Sequence, residues 1–166
     1  MKLGIIGSGM IVKNFLPMLV EMEGLEVKAL LSTTRSLPQA TELAASYGIH
    51  DVTDDFDTLC SYDIDTVYVA VPNFMHYDYS KKALERKLNV IVEKPMVSND
   101  TEAKALRELA VNNRCFLFEA ITTLYLGNYK KLQEWLPRIG TVKIAQSQYS
   151  QYSSRYNAFR AGEVIC

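Results

Sequence analysis

The sequence predicts an α/β fold, a doubly wound parallel sheet followed by the start of a truncated α+β second domain. Three observations carry this expectation. Short apolar runs rich in β-formers alternate with stretches of helical period, as in successive βαβ units. The first run passes directly into Gly7-Ser8-Gly9, a strand-to-helix turn. A later run, Val90-Ile91-Val92, leads straight into Glu93-Lys94-Pro95. Charged residues there stand at the carboxyl end of a strand, where open parallel sheets keep their ligands.

The elements follow in chain order. Residues 2–6 form the first strand, because Leu3, Ile5 and Ile6 supply the near-continuous apolar character of a strand covered on both faces. Ile11, Phe15, Met18, Leu19 and Met22 then recur at helical spacing, with Pro17 expected to kink that helix or loosen one turn. Strands are predicted over 25–31, 66–71, 89–93 and 115–118, with a shorter one over 49–52. Helices fit 37–47, 77–87 and 100–113, the last capped by Ser98 or Asn99 with Glu102 in its first turn. After Phe118 the pattern changes to a helix over 128–135, a turn over 137–140 and an alternating run over 142–152. That run reads as one strand of another sheet. Only fourteen residues follow Tyr152, and a lone strand is unstable. The expected division is therefore a first domain over 1–120 and an incomplete second one over 121–166.

Composition narrows the function. A chain of 166 residues with 48% hydrophobic content holds one well-buried domain and part of another. Eighteen basic and nineteen acidic side chains give a net charge of -1, which supplies no field to draw nucleic acid or an anionic membrane. A small-molecule partner fits better. Cys60, Cys115 and Cys166 are odd in number and far apart, with no C-x-x-C pair and no nearby histidine, so they read as reduced packing residues and no metal site is expected. The amino terminus lacks a secretion pattern and no apolar run reaches membrane-spanning length. The expectation is a cytoplasmic protein.

A dinucleotide pyrophosphate needs a tight turn whose backbone N–H groups can approach it, followed at once by the positive end of a helix. Gly7 and Gly9 supply such a turn, as in the Rossmann fold, while Val12 occupies the place usually held by a third glycine or alanine. A turn that merely needs glycine for its backbone conformation is the competing reading. No Gly-Lys-Ser/Thr follows, which excludes a P-loop, and the acidic residue a methyltransferase would want after the second strand is absent. It ends in Ser32-Thr33-Thr34-Arg35 instead. An acidic residue there would select NAD, whereas an arginine accommodates the 2′-phosphate of NADP. Ser32, Thr33 and Arg35 therefore favour NADP, with NAD left open because Arg35 also reads as a solvated loop charge.

The run Val67-Tyr68-Val69-Ala70-Val71-Pro72-Asn73-Phe74-Met75-His76, then Ala83-Leu84, Val90-Ile91-Val92-Glu93-Lys94-Pro95 and Glu119-Ala120, closely resembles the Gfo/Idh/MocA family, the glucose-fructose oxidoreductase and inositol dehydrogenase relatives. The resemblance spans residues 2 to about 140. It implies an amino-terminal NAD(P)-binding Rossmann domain, a carboxyl-terminal domain that shapes the substrate site, and hydride transfer between nicotinamide and a sugar, cyclitol or related polyol. It further implies that Gly7, Gly9, Met10 and Ile11 lie along the pyrophosphate and Ser32, Thr33 and Arg35 along the adenosine ribose. Pro72, Asn73 and His76 would border the nicotinamide, with Glu93 and Lys94 between cofactor and substrate. Lys94 is the catalytic candidate, since a positioned cation stabilises negative charge on the reacting oxygen and can move its proton. Pro95 would aim it, in the cis form the family suggests. For His76 a structural hydrogen bond competes with cofactor contact. His50 reads as merely exposed. The tyrosines at 125, 129, 149, 152 and 156 could line a sugar site or pack against a further domain.

Two departures bear on substrate. Relatives often carry an arginine five residues after Glu119 and a proline three beyond it, where this chain has Leu124 and Gly127. The family's second catalytic patch, an aspartate and a histidine, has no counterpart before Cys166. The chain is accordingly expected to be inactive alone, and the resemblance further implies a homo-oligomer when full length. A non-catalytic NAD(P)-binding or redox-sensing protein is the alternative function, and a purely structural Rossmann-like module a third.

Overall fold

The computed structural model describes residues 1–150, 152 and 156–161. Six strands form one parallel sheet in the order β3-β2-β1-β4-β5-β6. They are β1 (Lys2–Ile6), β2 (Glu26–Leu31), β3 (Asp51–Thr53), β4 (Thr66–Val69), β5 (Asn89–Val92) and β6 (Leu117–Glu119). The helices between them are α1 (Met10–Leu19), α2 (Leu37–Ala45), α3 (Phe56–Ser61), α4 (His76–Glu85) and α5 (Asp100–Asn113). Every strand predicted up to residue 119 is present, with ends shifted by at most two residues.

Side-chain alternation along the strands separates two cores, one on each face of the sheet. Leu3, Ile5 and Leu30 pack with Val12, Leu16, Ala40 and Ala44 of α1 and α2. Ile6, Leu31, Val67, Val69, Val90 and Val92 pack with Leu59, Ala83, Leu84, Leu106 and Ala110 of α3, α4 and α5. Val12, in the place of a third glycine, is fully buried in the first core. The helix accepts Pro17 within its last turn and ends two residues later at Leu19.

Local chemistry sets the helix ends. Asn99 caps α5 by accepting the Glu102 N–H at 2.9 Å, while the Glu102 carboxylate accepts the Ser98 N–H at 3.1 Å. This reciprocal pair matches the predicted start of the helix. Arg114, at φ 57°, turns left-handed and stops it. The sequence reading missed α3, which Asp55 caps by accepting the Thr58 N–H at 2.7 Å.

Two units are distinguishable, Met1–Thr123 and Leu124–Cys166. The second contains α6 (Gly127–Trp135), a 3-10 turn over Leu136–Arg138, and α7 (Tyr156–Arg160). The expected strand over 142–152 is corrected: residues 142–150 and 152 adopt no strand. Alternation prepares a segment for a sheet, but its N–H and C=O groups need a neighbouring strand to pair with. Residue 151 and Cys166 lie outside the described residues. Among those described, no helix is long and apolar enough to cross a membrane.

Candidate active site

The sheet's winding reverses between β1 and β4, so the crevice of this topology opens at their carboxyl ends. Gly7 stands at that point with φ +117°, and a Cβ built on it would lie 2.3 Å from the Ala70 carbonyl oxygen. Its N–H donates to the Leu31 carbonyl at 2.8 Å. Glycine is thus required here by conformation and by space. Gly9 is different. It caps α1 in an extended conformation, and nothing lies within 4 Å of where its Cβ would be. No side chain caps α1 and its first turn holds no acidic residue, so no side chain of the N-cap or first turn competes for the leading N–H donors. These residues fit a phosphate-bearing cofactor.

At the end of β2, Ser32 is buried and its hydroxyl lies 2.8 Å from that of Ser8 in the glycine turn. Thr33 and Arg35 are exposed beside it. Thr33 also accepts the Ser36 N–H at 3.3 Å, and Thr34 donates to the Asp54 carboxylate at 2.7 Å. Asp54 was not singled out from sequence, since only the β2–β3 pairing brings it alongside.

At the end of β4, Pro72 and Asn73 are exposed at the rim. His76 is not. It is fully buried, with Nδ1 2.8 Å from the Pro95 carbonyl oxygen and Nε2 2.9 Å from that of Val71. The expectation of direct cofactor contact is corrected, because this ring has no surface to offer a ligand. It ties the loop after β4 to the loop after β5.

Beyond β5, the Glu93 N–H donates to the Val69 carbonyl at 2.9 Å and its carboxylate accepts the Tyr68 hydroxyl at 2.5 Å. Burial, reinforced by that carboxylate, pushes ionisation of the Tyr68 phenol upward. The Lys94-Pro95 peptide is cis, and Lys94 is exposed. Glu119, at the end of β6, accepts the Met96 N–H at 2.8 Å. Tyr68 and Glu119 join the predicted residues here. Strand register carried the signal for Tyr68, which pairs with Ile91, two residues before Glu93 on the same face.

A cavity of about 450 Å³ collects these groups. Ile11 and Phe15 of α1 form one wall, Glu93, Lys94 and Pro95 a second, and residues 119–123 a third. The glycine-turn helix and the lysine, more than eighty residues apart in sequence, therefore open on one space.

The profile of an oxidoreductase family with an NAD-binding Rossmann fold, Gfo/Idh/MocA, matches residues 1–121. The chain belongs to the Gfo/Idh/MocA family. It is 35% identical over 165 residues to the scyllo-inositol 2-dehydrogenase (NADP(+)) IolU of Bacillus subtilis (strain 168), covering 99% of this chain and 50% of that protein. It is 34% identical over 163 residues to the uncharacterized oxidoreductase YgjR of Escherichia coli (strain K12), covering 98% of this chain and 49% of that one. Among solved structures, the 3-ketoreductase KijD10 from Actinomadura kijaniata, in complex with TDP-benzene and NADP, superposes with a TM-score of 0.76 at 26% identity, over 83% of this chain and 43% of the reductase. This Gfo/Idh/MocA chain thus spans about half the length of the curated relatives it matches.

Proposed function

We propose that this chain carries the cofactor-binding part of an NADP-dependent oxidoreductase that moves hydride between nicotinamide and a carbinol carbon of a sugar, cyclitol or related polyol. The observation behind this is the cavity shared by Ile11, in the first turn of α1, and Lys94. The inositol dehydrogenase and the NADP-bound ketoreductase among the relatives support the cofactor and the polyol class.

The nicotinamide of NADP supplies hydride acceptance and donation at C4. Gly7 and Gly9, with the backbone of Met10 and Ile11, receive the pyrophosphate at the positive end of α1. Ser32, Thr33 and Arg35 take the adenosine ribose and its 2′-phosphate, the guanidinium pairing with phosphate oxygens. Pro72 and Asn73 border the nicotinamide, with His76 bracing that border from beneath. Lys94 holds the substrate hydroxyl, takes or returns its proton, and stabilises negative charge on that oxygen as the carbon changes oxidation state. Pro95 and Glu93 flank it.

Calorimetric titration with NADPH and NADH tests the cofactor assignment, with at least tenfold tighter NADPH binding expected. Equal affinities would remove Arg35 from the selection. Lys94→Ala in the full-length protein is expected to bind NADPH normally and lose about 100-fold or more in turnover, the scale of one positioned acid–base group. Unchanged turnover takes Lys94 out of the mechanism. A second reading, a non-catalytic NAD(P)-binding or redox-sensing protein, draws on Leu124 and Gly127, where relatives often carry arginine and proline. It predicts cofactor binding without oxidation of any polyol in a broad panel.

A further inference from the structure

Two carboxylates line the cavity with Lys94, those of Glu93 and Glu119, yet Lys94 forms no ion pair among the described residues. Each carboxylate is engaged elsewhere. Glu119 accepts the Met96 N–H at 2.8 Å, and Glu93 accepts the Tyr68 hydroxyl at 2.5 Å. Extending the reading of Lys94 as the working cation, we propose that Tyr68 is a positioning residue: its hydroxyl tethers the Glu93 carboxylate and so keeps the Lys94 ammonium unpaired for substrate oxygen.

The tether is well anchored. Tyr68 lies in β4 between β1 and β5, in register with Ile5 on one side and Ile91 on the other, and is only 6% exposed. Glu93 is the only hydrogen-bond partner of its hydroxyl among the described residues. With its ionisation pushed upward by burial, the phenol remains a donor at neutral pH. A carboxylate that already accepts a short hydrogen bond from a fixed donor gains less by turning to a lysine that water also solvates. Without the hydroxyl, Glu93 is left half-buried and in need of a partner, and Lys94 is the one cationic side chain among the residues that line the cavity with it. A lysine held in that pair must break it before meeting substrate.

Tyr68→Phe removes one oxygen and keeps the ring. In the full-length protein it is expected to lower kcat about tenfold while NADPH affinity changes less than twofold. Adding Glu93→Gln to that variant should recover most of the loss, because the amide has no charge to pair with Lys94. A phenol that only packs predicts a lower melting temperature and no recovery. Wild-type kcat in Tyr68→Phe, or a double variant no faster than the single, overturns the proposal. A second readout needs no turnover: acetylation of Lys94 by an N-hydroxysuccinimide ester, followed by mass spectrometry. It should slow several-fold in Tyr68→Phe and recover in the double variant, and equal rates overturn the tether. If Tyr68→Phe does not fold, Glu93→Gln alone decides. A tethered carboxylate predicts less than a twofold change in Lys94 labelling, whereas a tenfold rise means that Glu93 was paired with Lys94 all along. Failure of the wild type to oxidise any polyol would remove the functional reading, and the labelling rates would still judge the tether.

Discussion

Gly7 approaches Ala70 so closely that a side chain at position 7 would place its first carbon 2.3 Å from the Ala70 carbonyl oxygen. That contact is backbone against backbone at the junction of β1 and β4, where neither strand can yield without disturbing the central sheet. The φ of +117° adds a conformational cost, typically about 1–3 kcal/mol for a residue with a Cβ. Gly7→Ala is therefore expected to destabilise the protein by about 3 kcal/mol or more, and to weaken NADPH binding at least tenfold by widening the turn. Urea unfolding and calorimetry measure the two effects. A variant as stable as the wild type would show that the turn relaxes freely.

His76 makes a different kind of link, between two loops. Each ring nitrogen lies against a backbone carbonyl and the ring has no exposure, so truncation takes away the N–H that serves one of these carbonyls and leaves a void where the ring was. His76→Ala is expected to cost about 3 kcal/mol, combining the lost hydrogen bond and the cavity. His76→Gln, which keeps a donor, should lose less. If His76 were only a surface ligand of the cofactor, His76→Ala would weaken NADPH binding and leave the unfolding midpoint alone.

The contrast between these positions shows what a sequence can carry. Gly7 is legible because its role is local, a turn directly after an apolar strand. Helix α5 is legible too, since Asn99 and Glu102 cap it through neighbours only a few residues away. For His76 the sequence left a structural hydrogen bond and cofactor contact both open, because an atom that bears on the choice belongs to Pro95, nineteen residues on. Tyr68 meets Glu93 only through the β4–β5 register, which no local pattern encodes. Helix α3, at six residues, is too short to display a period, and Asp55 was its one available signal. The run over 142–150 errs in the opposite direction. Its alternation is present in the sequence, but a strand exists only where another strand pairs with it.

Ser80 offers a stabilising change. Its hydroxyl is buried within α4 and has no hydrogen-bond partner among the described residues. Such a group forfeits its hydration without compensation, and alanine is the better helix former. Ser80→Ala is expected to raise stability by about 1 kcal/mol, read as an increase in the urea midpoint with an unchanged slope. A destabilised variant would mean that the hydroxyl has a partner, such as a buried water.

Asp55 ties stability to pH. Its hydrogen bonds from the Thr58 hydroxyl and backbone N–H hold the carboxyl below the usual carboxylate range. The unfolded chain therefore binds a proton more readily than the native one, and stability from this cap is present above the ordinary carboxylate range. It is lost as pH falls through the depressed native value. Asp55→Asn retains an accepting oxygen for the cap but cannot titrate, so its unfolding free energy should decline less steeply than the wild type's on acidification below about pH 4, the ordinary carboxylate value. Chemical denaturation at a series of pH values measures both slopes. Parallel curves would show that the Thr58 bonds favour the charged carboxylate no more than the neutral acid.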